Sequence, residues 1–376
     1  MLIDNLKLKL KHDTRYRTFW QVIHIDATLL SCLLLLASVG LFILYSASGQ
    51  SLRTVEIQFS HMMLAFTIMF LFAQIPPASL LRWAIWIYLV SIFLLVIVLI
   101  IGHIGKGAQR WLNLGFLHLQ PAELMKLAIP MVLAWYYHKI QLPITFHSVL
   151  IAIPIIFIPA ILTAKQPDLG TAILLVIAGA SVLFFAGLSY RFIITTPVIV
   201  MACVPFAWYI LHDYQRQRVL TFLNPERDPL GTGYHIIQSK IAIGSGGIFG
   251  KGWLNGTQSS LHFLPEHSTD FIFAVCGEEL GFAGSLILIV LFVLILLRGF
   301  YITINAQDTF SRLVAGSITI TFFISFFINM GMVTGILPVV GIPLPLVSYG
   351  GSSMVTMMAS FGILMSIQTH RKLVTT

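Results

Sequence analysis

Long uninterrupted apolar runs alternate with short polar or basic stretches along almost the whole chain. A hydrocarbon layer about 30 Å thick is crossed by about 20 apolar helical residues. That ruler marks spans at 26–46, 57–75, 79–102, 121–138, 146–163, 169–187, 191–211, 270–297, 312–336 and 352–369. The runs are continuous, not alternating, which predicts helices rather than barrel strands. The expected fold is all-α and polytopic: a ten-transmembrane-helix bundle in one membrane domain over 1–376. The longest polar stretch, about 212–269, falls between the seventh and eighth spans and is expected to be a large outer loop.

Composition agrees with lipid as the main solvent. Only 10% of residues are charged and 57% are hydrophobic, whereas a soluble domain carries about 25% charged residues. That excludes a disordered chain. Three cysteines, all in apolar runs, exclude a disulfide scaffold. The net charge of +8 is placed at the ends of apolar runs, which argues for membrane orientation and against nucleic acid. Residues 1–25 are polar and basic and lack a cleavable-leader pattern. Twelve Lys and Arg residues in short segments fall on the side of the two termini, against Arg53, Lys106, Arg110 and Lys165 on the other. Both termini are therefore expected in the cytoplasm.

Charges inside spans are expensive and mark functional candidates. Glu123 and Lys126 are three residues apart in the fourth span, so they share a helix face. They read either as a structural ion pair or as part of a site. Glu278 and Glu279 are adjacent in the eighth span and cannot both face one neighbour. Asp168 reads as the N-cap of the sixth span. Asp270 stands where the long outer stretch meets the eighth span. It reads either as an N-cap or as a general base acting at the membrane surface. His262 and His267 are near it in sequence.

Two more clusters fall on the same outer side. Gly105, Lys106, Gly107, Ala108, Gln109, Arg110 and Trp111 combine cations with an aromatic ring. The cations suit a departing pyrophosphate, and an interfacial Trp also serves as a membrane anchor. Residues 343–353 hold Pro, Gly, Ser348, Gly350, Gly351 and Ser352. Broken backbone at membrane depth is tolerated only inside protein or along a cavity. No dinucleotide or Walker A fingerprint occurs, nor HExxH or paired CxxC. No nucleotide cofactor or built-in metal site is expected.

Five of these motifs, in order, resemble the SEDS family (shape, elongation, division and sporulation). They are Gly105–Trp111 with Leu112-Asn113-Leu114-Gly115, then Gln120–Lys126, Gln166–Thr171, His267–Val275 with Gly277–Gly281, and Pro345–Ser353. The first motif is closer to the family's elongation branch than to its division branch. The resemblance implies a ten-helix fold with a large loop between helices seven and eight. It implies polymerisation of lipid II into glycan strands in the bacterial inner membrane. It also implies a class B penicillin-binding protein as partner, within the elongation machinery, among membrane lipids. By the same resemblance Asp270 matches the family's essential outer acid. Glu123 and Lys126 match its paired residues, and Arg110 and Trp111 its outer motif. Ala122 and Ser268 depart from commoner residues without removing a group the chemistry needs. Lys106, His267, Ser348, Gly350, Gly351 and Ser352 are the supporting candidates. Positive charge at the leaving group is expected from Arg110, Lys126 or a divalent cation, Mg2+ or Mn2+. A lipid II flippase and a non-catalytic scaffold are the competing readings.

Overall fold

A computed structural model describes residues 20, 23–105, 108–113, 118–189, scattered positions between 192 and 209, 213–225, 232–260, 263 and 266–371. Lys106, His262 and most of the expected span 191–211 lie outside the described residues.

The remaining nine expected spans are helices. They are α1 (Ala27–Ala47), α2 (Leu52–Gln74), α3 (Pro77–Ile101), α4 (Pro121–Tyr137), α5 (Phe146–Lys165), α6 (Leu169–Phe185), α10 (Ile272–Ile304), α11 (Thr309–Val333) and α12 (Ser352–Thr369). Their starts follow from local chemistry. The side chains of Asp26, Ser51, Asp168 and Asp308 accept from backbone N–H groups of the first turn. Proline opens α3 and α4, where its missing N–H costs no helical bond.

Six helices are long and apolar enough to cross a membrane: α1, α2, α3, α5, α10 and α11. The chain is a multi-pass membrane protein. Large side chains such as Leu35, Trp86, Phe93 and Ile161 are exposed on these helices and form the lipid-facing coat. The more polar α4 and α12 are mostly buried. They face other helices, which keeps most of their polar residues inside the bundle. α12 packs on α2, α4 on α3, and α10 on α11 and α1.

Two features depart from the expected plan. The fold is not purely helical. β1 (His103–Gly105), β2 (Ala108–Asn113) and β3 (His118–Leu119) form a small antiparallel sheet between α3 and α4. His103 pairs with Trp111 and Gly105 with Ala108. Nor is 212–269 a plain loop. It contains α7 (Asp213–Leu223), α8 (Thr232–Gly246) and the short α9 (Thr257–Ser260). Ile236, Ser239 and Ala242 form the buried stripe of α8, which packs on α10.

α10 is 33 residues long, or about 50 Å at 1.5 Å per residue, more than one bilayer core. It breaks at Gly281, whose φ of 66° and ψ of −160° are non-helical. A Cβ there would stand 2.3 Å from the Gly250 nitrogen. Only glycine fits both demands.

Candidate functional site: a cavity at Asp270

Asp270 does not cap α10. Phe271 holds the N-cap position, and Asp270 ends a turn in which Phe271 N–H donates to the Glu266 carbonyl at 3.3 Å. The stretch between α11 and α12 fastens this turn. Ser348 Oγ donates to the Thr269 carbonyl at 2.6 Å and accepts from Leu344 N–H at 2.8 Å. Tyr349 N–H donates to the Ser268 carbonyl at 2.9 Å. Gln58 of α2 joins the clamp. Its amide donates to the Ser348 carbonyl at 3.3 Å and accepts from Gly350 N–H at 3.2 Å. These bonds satisfy part of the broken backbone inside the protein.

Asp270 lines a cavity of about 180 Å³ together with Thr221, His235, Glu266, Val339 and Gly341. Thr221 comes from α7 and His235 from α8, so the helices of segment 212–269 build part of its wall. His235 stacks on Phe271 with ring centroids 5.8 Å apart. Burial pushes its imidazole below the ordinary value of 6.5, and Glu266 partly opposes this. His267 sits in the same turn, but the cavity wall is formed by His235 and Glu266.

His235 gives a pH prediction. As pH falls below about 6.5 the unfolded imidazole takes up a proton before the folded one does, so folding loses free energy. Thermal midpoints of the wild type should therefore drop towards pH 5. In His235→Gln the drop should be shallower.

Glu123 and Lys126 pair as their spacing predicts, at 2.7 Å, with side chains 7% and 14% exposed. Thr356 Oγ1 of α12 donates to Glu123 at 3.1 Å. The pair borders two cavities of about 20 and 30 Å³, room for water and not for a sugar. Gly341 lines the Asp270 cavity, while Ile342 to Leu346 line the larger of these two. The crossing stretch is thus a shared wall, with Lys126 behind it.

Arg110 is committed elsewhere. Its Nε donates to the Gln166 carbonyl at 3.1 Å, an Nη donates to the Pro167 carbonyl, and Nη1 lies 3.7 Å from Asp168. Asp168 also accepts from Gln120 at 2.8 Å and Thr171 N–H at 3.1 Å. Three sequence motifs thus meet in one knot that fixes the sheet to α4 and α6. Trp111 is half-buried on β2 beside it. Gly351 and Ser352 begin α12.

Glu278 and Glu279 point to different neighbours. The fully buried Glu278 accepts from Lys251 Nζ at 2.7 Å, Thr257 N–H at 2.8 Å and Gln258 N–H at 3.1 Å. Glu279 accepts from Ser46 Oγ of α1 at 2.5 Å. Glu278 is thus the peg that holds 251–258 on α10. Glu278→Ala should lower stability by about 3 kcal/mol, because a cation and several N–H groups lose their acceptor. A detergent-solubilised thermal melt measures this.

Among the described residues no group of three His, Cys, Asp or Glu side chains forms a metal cluster. Two carboxylates, Asp270 and Glu266, share the cavity. They are hard oxygen donors of the kind Mg2+ and Mn2+ take alongside substrate phosphates.

The comparisons with known proteins agree with this architecture. The FtsW/RodA/SpoVE family model, described as "cell cycle protein", matches residues 26–373. The peptidoglycan glycosyltransferase MrdB of Escherichia coli is 52% identical over 358 residues, covering 95% of this chain and 97% of that one. A probable peptidoglycan glycosyltransferase FtsW of Geobacter metallireducens is 37% identical, covering 98% of each. Among solved structures, a chain of a peptidoglycan synthase complex that coordinates polymerization and crosslinking superposes with a TM-score of 0.80. It is 32% identical and covers 92% of this chain and 99% of that chain. The rod shape determining protein RodA of Thermus thermophilus superposes at 0.70, with 26% identity over 92% of this chain and 98% of that one. The chain belongs to the FtsW/RodA/SpoVE family of cell cycle proteins.

Proposed function

We infer that this chain is a peptidoglycan glycosyltransferase that polymerises lipid II into β-1,4-linked glycan strands during cell elongation. The observation that carries the mechanism is the cavity in which Asp270 meets Glu266 and His235. Lipid II is a disaccharide-pentapeptide on undecaprenyl pyrophosphate. Its anomeric bond is α and the product linkage is β, so transfer inverts the centre in one displacement. Asp270 accepts the proton of the acceptor's 4-hydroxyl as that oxygen attacks the donor carbon. Undecaprenyl pyrophosphate departs with the bonding electrons. His235, kept neutral by burial, adds no competing positive charge to the carboxylate. A divalent cation held by Glu266 and the substrate pyrophosphate would neutralise charge on the leaving group.

The membrane plan fits this chemistry. With 191–211 as a seventh span, ten crossings place both termini in the cytoplasm, on the side richer in Lys and Arg. The strands, the start of α10 and the segment 212–269 then lie on the outer face of the inner membrane. A lipid tail stays in the bilayer while its sugar reaches Asp270. The partner is a class B penicillin-binding protein, which would cross-link the emerging strands; the likeness to a chain of a synthase complex supports that pairing. Transport has less support, because the two cavities that the buried Glu123–Lys126 pair borders are water-sized.

The test is purified protein with a class B partner and labelled lipid II in liposomes. A ladder of strands cut by a β-1,4-specific muramidase is expected. If no ladder forms where a control polymerase makes one, the reading fails and lipid II flipping becomes the activity to assay.

A further inference from the structure

Asn329 carries no charge and stands on α11, yet its side chain reaches the site from behind. It is fully buried. Its amide nitrogen donates to two backbone carbonyls, that of Asp270 at 2.9 Å and that of Ile342 at 2.8 Å. Both partners are acceptors only, so the amide must turn its NH₂ toward them. One carbonyl belongs to a residue that lines the cavity and the other to the neighbour of one. Asp270 lies at the end of the 266–271 turn, and Ile342 follows Gly341, which lines the same cavity. Gly341 has a φ of 77°, and a Cβ added to it would stand 3.4 Å from Asp270 Oδ2. The left-handed glycine lets the crossing stretch pass this close to the carboxylate, and Asn329 holds both sides at that separation.

We propose that Asn329 is a positioning residue for Asp270: its two hydrogen bonds set the direction of the carboxylate relative to the Gly341 wall. The inference rests on the reading of Asp270 as the base. Ser348 holds the preceding carbonyl, that of Thr269, but Asn329 ties the Asp270 carbonyl to that of Ile342. A burial role alone would be served by any apolar side chain of similar volume, which could not bond two carbonyls.

The consequence is kinetic. A carboxylate misplaced by about 1 Å costs about 100-fold in rate, whereas Asn329 is not among the residues that line the cavity and offers no surface to lipid II there. Asn329→Leu and Asn329→Ser should therefore lower kcat for lipid II polymerisation. The expected loss is about 100-fold for Leu and smaller for Ser, which keeps one donor. KM should stay within threefold of wild type. Wild type and Asp270→Ala are assayed in the same preparation. A folded Asn329→Leu with kcat within threefold of wild type would overturn the proposal. So would a loss confined to KM. If the Leu variant does not purify as a monodisperse protein, the Ser variant decides by the same criteria. An inactive wild type, or an active Asp270→Ala, would instead strike the reading on which the inference rests, so the two failures are distinguishable.

Discussion

Asp270→Asn should lower the initial rate of lipid II polymerisation by about 1,000-fold while lipid II still binds. The amide keeps the size of the carboxylate and loses the ability to take a proton, and general bases contribute about 10² to 10⁴ in rate. Geometry sets the expectation towards the middle of that range. Asp270 stands in a cavity large enough for part of a sugar, and its backbone is held by Asn329 on α11. A base held in place loses its whole contribution when its chemistry is removed. Asp270→Glu should recover a fraction only, since the longer side chain meets the Gly341 wall, where a Cβ would already stand 3.4 Å from Oδ2. Gel-resolved product from labelled lipid II measures the rate, and tryptophan quenching measures binding. A rate within tenfold of wild type would remove Asp270 from the chemistry.

Breaking the Glu123–Lys126 pair should act on stability instead. Lys126→Met leaves a carboxylate 7% exposed inside the bundle, with Thr356 as its one remaining donor among the described residues. Removing one partner of a buried pair costs about 3 to 5 kcal/mol, while replacing both with apolar residues is often close to neutral. The single variants should unfold several degrees below wild type, and Glu123→Met/Lys126→Met should recover most of the loss. The measurement is the thermal midpoint of the four proteins in one detergent. Equal and additive losses in both singles and the double would mean the two side chains do not support one another.

The two predictions separate residues that the sequence alone placed together. Asp270, Glu123, Lys126 and Arg110 are all charges that the sequence offers as site candidates. Spacing along one helix made the Glu123–Lys126 pairing legible, because residues three apart share a face. It did not reveal that the pair lies behind the 342–346 wall. Nor did it reveal that Arg110 closes a knot with Gln166, Pro167 and Asp168. Those contacts join positions more than fifty residues apart, and local pattern holds no information about them.

The spans were legible for a physical reason. Lipid leaves the backbone no partner but itself, so helices there must be long and continuous in sequence. Outside the membrane water satisfies the backbone and the rule lapses. The strands near Trp111 and the helices α7 and α8 therefore read as polar connections. His235 was missed with them, because it stands on α8, 35 positions before Asp270. Asn329 escaped for a different reason. A search for charges in apolar runs passes over an amide, although its two bonds join the Asp270 turn to the stretch after Gly341. The useful signal would have been any strongly hydrogen-bonding side chain in an otherwise apolar span.

The most direct test of the account is a structure of the protein, with its class B partner, bound to lipid II or a non-reacting analogue. The account predicts the acceptor sugar in the cavity between Asp270, His235 and Gly341. Its 4-hydroxyl should lie about 2.6 to 3.2 Å from an Asp270 carboxylate oxygen, the reach a general base requires. A sugar seated beside Glu123 and Lys126, with Asp270 remote from every reacting oxygen, would contradict it.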